Sequence, residues 1–179
     1  MGSLKFPPDK VLPVGAVMLT DPGNLDAVTE AVASHFDGNI FLSDGFWVQD
    51  FTHYYDEQMT GNLQKYFYYI DRLISPENAH QWKLWSNNSE RSYSNLWEEK
   101  RPVNIDPGYL TLSKLILLST KDFSHRIYLR DGVYAEVTLQ YSRKQFRALP
   151  WSYPDYQTEM AFMFWEAARE MLKKLSGNP

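Results

Sequence analysis

Between Lys121 and Thr138 the chain concentrates side chains that move protons and hold anions. An imidazole titrates near neutrality, and a carboxylate beside it fixes its tautomer and supports a proton taken from a substrate. His125, with Glu136 or Asp122 to orient it, is the candidate catalytic set. Lys121 and Arg126 carry the positive charge, and Thr138 the hydroxyl, that a phosphate or carboxylate ligand requires. These three are candidate ligand-binding residues. Two further stretches add to them: Asp106-Pro107-Gly108-Tyr109 offers Asp106 and Tyr109, and Tyr153-Pro154-Asp155-Tyr156 offers Tyr153 and Asp155. Each has a structural explanation as well. The first reads most simply as a turn, the second as the start of a helix with Asp155 as its N-cap.

These side chains need an element to hold them, and the local sequence supplies a hairpin. Asp131-Gly132 lies between two β-rich runs and is a strong signal for a two-residue type I′ turn. With that turn, residue 130 faces 133, 128 faces 135, 127 faces 136 and 125 faces 138. One face then carries His125, Ile127, Leu129, Tyr134, Glu136 and Thr138. The other carries Arg126, Tyr128, Arg130, Val133, Ala135, Val137 and Leu139. The uniformly apolar Val133, Ala135, Val137 and Leu139 direct the second face to the core. His125, Glu136 and Thr138 are therefore expected together on the opposite face, toward solvent or a cleft, with diagonal neighbours about 7–8 Å apart. Arg126 is expected on the core side, where it must pair with a carboxylate or escape at an edge.

The rest of the chain forms the frame. Residues 1–10 read as a loose tail, and 11–179 as a single domain, as 179 residues suggest. Val11–Leu19 is a strand. Leu25, Val28, Val32 and Phe36 recur at helical spacing and are followed by Gly38. Phe41–Phe51 and Leu63–Ile74 favour strands, with a helix competing over 63–73. Ser75-Pro76-Glu77 starts a helix with Ala79, Trp82, Trp85 and Ser89 on one face. Residues 101–109 are extended, broken at the Asp106 turn. Residues 112–119 fit a short helix capped by Thr111 or a buried strand. A final helix spans about 156–175, its inner stripe Met160, Phe164, Ala168, Met171 and Leu175. The expected class is α+β: an antiparallel or mixed sheet with helices packed mainly on one face. The expected topology is a ferredoxin-like core with an added hairpin and C-terminal helix.

Composition narrows the function. The chain has no cysteine, which removes disulfides, thiolate catalysis and thiolate metal sites. Its 18 lysines and arginines against 22 acids give a net charge of −4, without the global basic field of a nonspecific nucleic-acid binder. No run is long enough to span a membrane and no signal peptide is present, so a cytoplasmic location is expected. Phosphate-loop, dinucleotide, zinc-protease and nucleophile-elbow motifs are absent. His35, His53, His80 and His125 are far apart, and no metal site is assigned to them. The tyrosines at 54–55 and 66–69 could stack on a base, but packing accounts for them equally.

NIDPGYLT (104–111), STKDFSHRIYL (119–129), GVYAEVTLQY (132–141), WSYPDY (151–156), YYDEQM (54–59) and LISPE (73–77) together resemble a bacterial and archaeal family. Its members are about this length and are classed as a domain of unknown function. Some carry the label GTP-binding. That label finds little here: Thr120-Lys121-Asp122 is similar to the guanine-reading [NT]-K-x-D, but the aspartate comes one residue early and no phosphate loop accompanies it. Three readings stand. The first is a module that binds a small anionic ligand or a nucleotide. The second is a hydrolase-like enzyme using His125 with a carboxylate. The third is an interaction protein, for instance a homodimer, using an aromatic surface. The sequence names no cofactor.

Overall fold

The computed structural model describes residues 8–51, 63–93 and 101–177. The tail before residue 8, His53 and the tyrosines at 54–55 lie outside these residues.

The first strand, β1 (Leu12–Leu19), is buried at every position. Leu12, Val14 and Ala16 enter one core cluster, and Val17 and Leu19 enter another on the opposite face. A strand covered on both faces needs a continuous apolar run, which this segment supplies. Helix α1 (Leu25–Phe36) follows and buries Val28, Val32 and Phe36. It ends on Asp37 in the left-handed region, so Gly38 is not its cap. Gly38 instead lets Ile70 pack close: an added Cβ would lie 2.5 Å from Ile70 Cγ2. The expected 41–51 strand is two short pieces, β2 (Ile40–Leu42) and β3 (Phe46–Trp47). The 63–74 ambiguity resolves as a strand, β4 (Gln64–Ile70). Pro76 opens a 3-10 turn, capped by the Ser75 hydroxyl, that leads into α2 (Ala79–Ser92). Strand β5 (Val103–Leu110) completes this part.

The spatial order is β2-β4-β1-β5, with every neighbouring pair antiparallel. Two β-α-β units are thus interleaved, each split by a strand of the other. This is the expected ferredoxin-like arrangement. The sheet continues through β6 (Lys114–Ser119), β8 (Val133–Ser142) and β7 (Ile127–Arg130), with β9 (Gln145–Ala148) pairing on β8. Of residues 112–119, 114–119 are therefore strand and none is helix. Helices α1 and α2 cover one face and α3 (Glu159–Ser176) covers the other, so the helices divide two to one.

Three local expectations change. Asp106-Pro107-Gly108 is not a turn but the middle of β5, in register with Ala16, Gly15 and Val14. Pairing on β1 overrides the local Pro-Gly signal. The final helix starts at Glu159, capped by Thr158 Oγ1, which accepts from the Ala161 N–H at 3.1 Å. Asp155 is thus not its N-cap. Its buried stripe is Ala161, Trp165, Ala168 and Leu172: Ala168 is as expected, and the others lie one position round from Met160, Phe164 and Met171. Met160, Phe164 and Met171 pack at its border, and Leu175 is exposed.

The hairpin has its type I′ turn, with Asp131 at φ 52° and Gly132 at φ 77°. Its register is different from the simple one. Arg130 pairs with Val133, but Tyr128 pairs with Tyr134 and Ile127 with Ala135, because a bulge takes up Leu129. A second irregularity lies opposite Leu115 and Ile116, where β8 skips from Leu139 to Val137. Each bulge re-aims the side chains beyond it.

Candidate functional site

Strands β5 and β6 pair over only three positions, from Leu110–Leu115 to Gly108–Leu117. The ladder stops beside Pro107, which has no N–H to donate. Gly108 marks the last close approach: a Cβ there would sit 2.0 Å from the Ile116 carbonyl oxygen. Beyond it the strands diverge, and a cavity of about 80 Å³ forms in the gap. Its lining includes Asn104 and Asp106 from β5, Leu117–Lys121 from the end of β6, Lys83 and Asn87 from α2, and Arg101, Arg126, Glu136 and Tyr153.

The charges around this gap are organised in pairs. Lys83 Nζ donates to the Ile105 carbonyl at 3.0 Å and to Asp106 Oδ1 at 3.1 Å. Asn104 Nδ2 donates to Asp106 Oδ2 at 2.7 Å. Buried Glu90 accepts from the Ile105 N–H at 2.8 Å and from Arg101 Nη1 at 2.8 Å. Arg126 Nε donates to Glu136 Oε2 at 2.6 Å, its Nη1 to Ser119 Oγ at 2.7 Å and the Lys121 carbonyl at 3.0 Å, and its Nη2 to Tyr153 Oη at 3.1 Å. Lys65 and Asp155 form a further buried pair at 2.6 Å.

Burial and charge act in opposite directions on the acids. Burial pushes the Asp106 carboxyl up, but Lys83 and Lys65, with hydrogen bonds from Lys83 and Asn104, outweigh it and hold the group below the ordinary aspartate range. For Glu90 burial wins over Lys83, the Ile105 N–H and Arg101, and its carboxyl is raised. Burial lifts the Tyr153 phenol to about 12 against the pull of Arg126, so it keeps its proton. One pH dependence follows. A depressed carboxyl contributes stability above its unfolded value and loses it as pH falls through the folded value. The stability advantage of the native chain over an Asp106→Asn variant should therefore shrink as pH drops below the ordinary value of 3.8. Thermal midpoints of the two proteins between pH 3 and 7 measure this. An advantage that grows toward low pH would refute it.

The expected His125–Glu136 pair forms, with Nε2 at 3.1 Å from Oε2. Its route and surroundings differ from expectation. His125 and Arg126 precede β7, on a turn closed by the Arg126 N–H to the Phe123 carbonyl, and both reach the same Glu136 oxygen. The acid is not on an open solvent face but lines the cavity: Glu136 is 3% exposed and Thr138 0%. Thr138 Oγ1 donates to Glu136 Oε1 at 3.2 Å, so it supports the acid, and it does not line the cavity. His125 stacks on Trp151, ring centroids 5.3 Å apart, and does not line the cavity.

Of the other candidates, Lys121, Arg126, Asp106 and Tyr153 converge on the cavity. Asp155 is spent on Lys65. Asp122 is exposed beside the Tyr134 phenol, and the carboxylate against His125 is that of Glu136. Tyr109 points to the other face, edge-on to Trp82. The remaining described histidines lie elsewhere: His35 stacks on Trp85, and His80 is 3.6 Å from Asp131. Lys83, Glu90, Arg101, Asn104 and Ser119 were not anticipated. One signal for them exists: Ala79, Lys83, Ser86 and Glu90 follow helical spacing and are all buried, placing polar groups on the inward face of α2.

Fold and site together define an α+β protein with a ferredoxin-like core, a C-terminal extension of its sheet, and a charged cavity where the two meet. The profile of a family described as Domain of unknown function (DUF4416) matches residues 9–172, and the chain belongs to that family. No curated protein and no solved structure matches it. Among the described residues no helix is long and apolar enough to cross a membrane.

Proposed function

We propose that this protein binds a small oxyanion in the cavity between β5 and β6. The observation that carries the reading is the balance of charge around that gap: Lys83, Arg101, Lys121 and Arg126 against Asp106, Glu136 and the Glu90 behind Arg101, on a chain whose net charge is −4. Cations drawn from three separate segments toward one cavity favour an anion there. Size limits the ligand. Pockets for drug-sized molecules run to about 300–1,000 Å³, whereas this cavity of about 80 Å³ suits a phosphoryl or carboxylate group. A nucleotide would place only its terminal phosphate inside.

Isothermal titration with inorganic phosphate, sugar phosphates and nucleotides tests the reading. At least one should bind with a dissociation constant below a millimolar, and Lys121→Ala should weaken it several-fold, more so at low salt. If none binds at millimolar concentration, or if Lys121→Ala leaves affinity untouched, the reading is wrong.

The His125–Glu136 contact supports a second reading, a hydrolase-like acid–base site outside the cavity, with Glu136 orienting the imidazole. A hydrolase substrate panel in which His125→Gln abolishes a measured turnover would favour it over simple binding.

A further inference from the structure

Two hydroxyls of the cavity, those of Ser119 and Tyr153, accept hydrogen bonds from within the protein. Ser119 Oγ accepts from Arg126 Nη1 at 2.7 Å and from the Lys121 N–H at 3.2 Å. A hydroxyl has two lone pairs and one proton, so the proton is what Ser119 has left to offer. Tyr153 Oη accepts from Arg126 Nη2 at 3.1 Å, and its own proton meets no acceptor among the described residues. Arg126 thus turns two hydroxyls into donors and is itself a positioning residue.

The two acids differ in what they have left. Glu136 is engaged by Arg126 and His125 on Oε2 and by Thr138 on Oε1. Asp106 accepts one hydrogen bond on each oxygen, from Lys83 and Asn104, which holds it as a carboxylate with lone pairs to spare. The cavity therefore offers donors together with a carboxylate, Asp106, that has the more lone pairs to spare of the two acids.

We infer that the cavity selects an oxyanion that keeps a proton of its own, hydrogen phosphate, over oxyanions that have none, such as sulfate or the dianion of a phosphate monoester. The P–OH donates to Asp106 while other oxygens accept from Ser119 and Tyr153. A proton-free dianion meets the Asp106 carboxylate with charge repulsion and no hydrogen bond. Sites built to hydrogen-bond a ligand's OH reject the analogue without it by up to about 10⁴-fold. For this cavity at least tenfold is expected. The inference rests on the oxyanion reading above.

The test is calorimetric titration of the full chain with inorganic phosphate, sulfate and methyl phosphate. At pH 8 inorganic phosphate retains a proton, sulfate has none, and methyl phosphate, with a second pKa of about 6, is a dianion. Phosphate should bind at least tenfold more tightly than either. At pH 5 methyl phosphate regains its proton and should gain at least fivefold, with no variant required. Asp106→Asn should bring sulfate to within threefold of phosphate at pH 8. Sulfate or methyl phosphate within threefold of phosphate on the native chain at pH 8 would overturn the inference and leave the oxyanion reading standing. Absence of binding by all three would overturn both.

Discussion

Replacing Glu136 with alanine should cost about 3–5 kcal/mol of folding stability, read as a lower urea midpoint at unchanged slope. The acid is shared. Arg126, with its side chain only 3% exposed, donates to Glu136 Oε2 at 2.6 Å, and His125 contacts the same oxygen. Removing one partner of a buried pair leaves the other charge unsolvated, which costs far more than the pair contributes when intact. Arg126 also holds Ser119, the Lys121 carbonyl and Tyr153, so its displacement would loosen the loop after β6 and the turn before α3 together. Glu136→Gln keeps an acceptor and should lose less. A double-mutant cycle with Arg126→Met should give a coupling of at least about 1 kcal/mol. A Glu136→Ala variant within about 1 kcal/mol of the native chain would mean that the carboxylate is not buried as described.

Gly108→Ala should cost about 3 kcal/mol or more, from overpacking against backbone. The new methyl would lie 2.0 Å from the Ile116 carbonyl oxygen and 3.0 Å from Leu117 Cδ2. A side chain can swing aside, whereas a strand carbonyl moves only with its strand. The β5–β6 ladder is short, and Gly108–Leu117 is the rung at the mouth of the cavity. Parting it should disturb oxyanion binding as well as stability. Gly132→Ala is the control: a Cβ there meets nothing within 4 Å, and the left-handed backbone at φ 77° costs roughly 1–2 kcal/mol. Urea unfolding of both variants checks the contrast. Equal losses would show that the close approach of β5 and β6 is not constrained.

The exposed edge of the sheet bears on the interaction reading. Strand β7 ends the strand order, with Ile127 72% exposed and Tyr128 and Leu129 also open. A short edge strand of this kind offers unpaired backbone to another chain.

The sequence by itself determined what depends on neighbours in the chain. Apolar runs and helical spacing marked β1, α1 and α2, and the order of elements sufficed for the ferredoxin-like core. Asp131-Gly132 specified its turn because those two residues tolerate the positive φ that a type I′ turn requires. That turn brought His125 within reach of Glu136. Tertiary structure alone decided the rest. Whether Asp106-Pro107-Gly108 turns or runs straight depends on β1, a partner some ninety residues earlier, whose register holds it extended. The bulge at Leu129 is likewise a property of two paired strands. Contacts from Arg126, His125 and Thr138 enclose the acid of Glu136 in a buried ion pair. The stripe of α3 turned by one position because facing strands, not helical period, choose which side packs. The cavity itself arises where two strands diverge, and its cations come from α2, from Arg101 before β5 and from the loop between β6 and β7. No local pattern can show such a convergence, since burial and charge pairing are fixed only when distant segments meet.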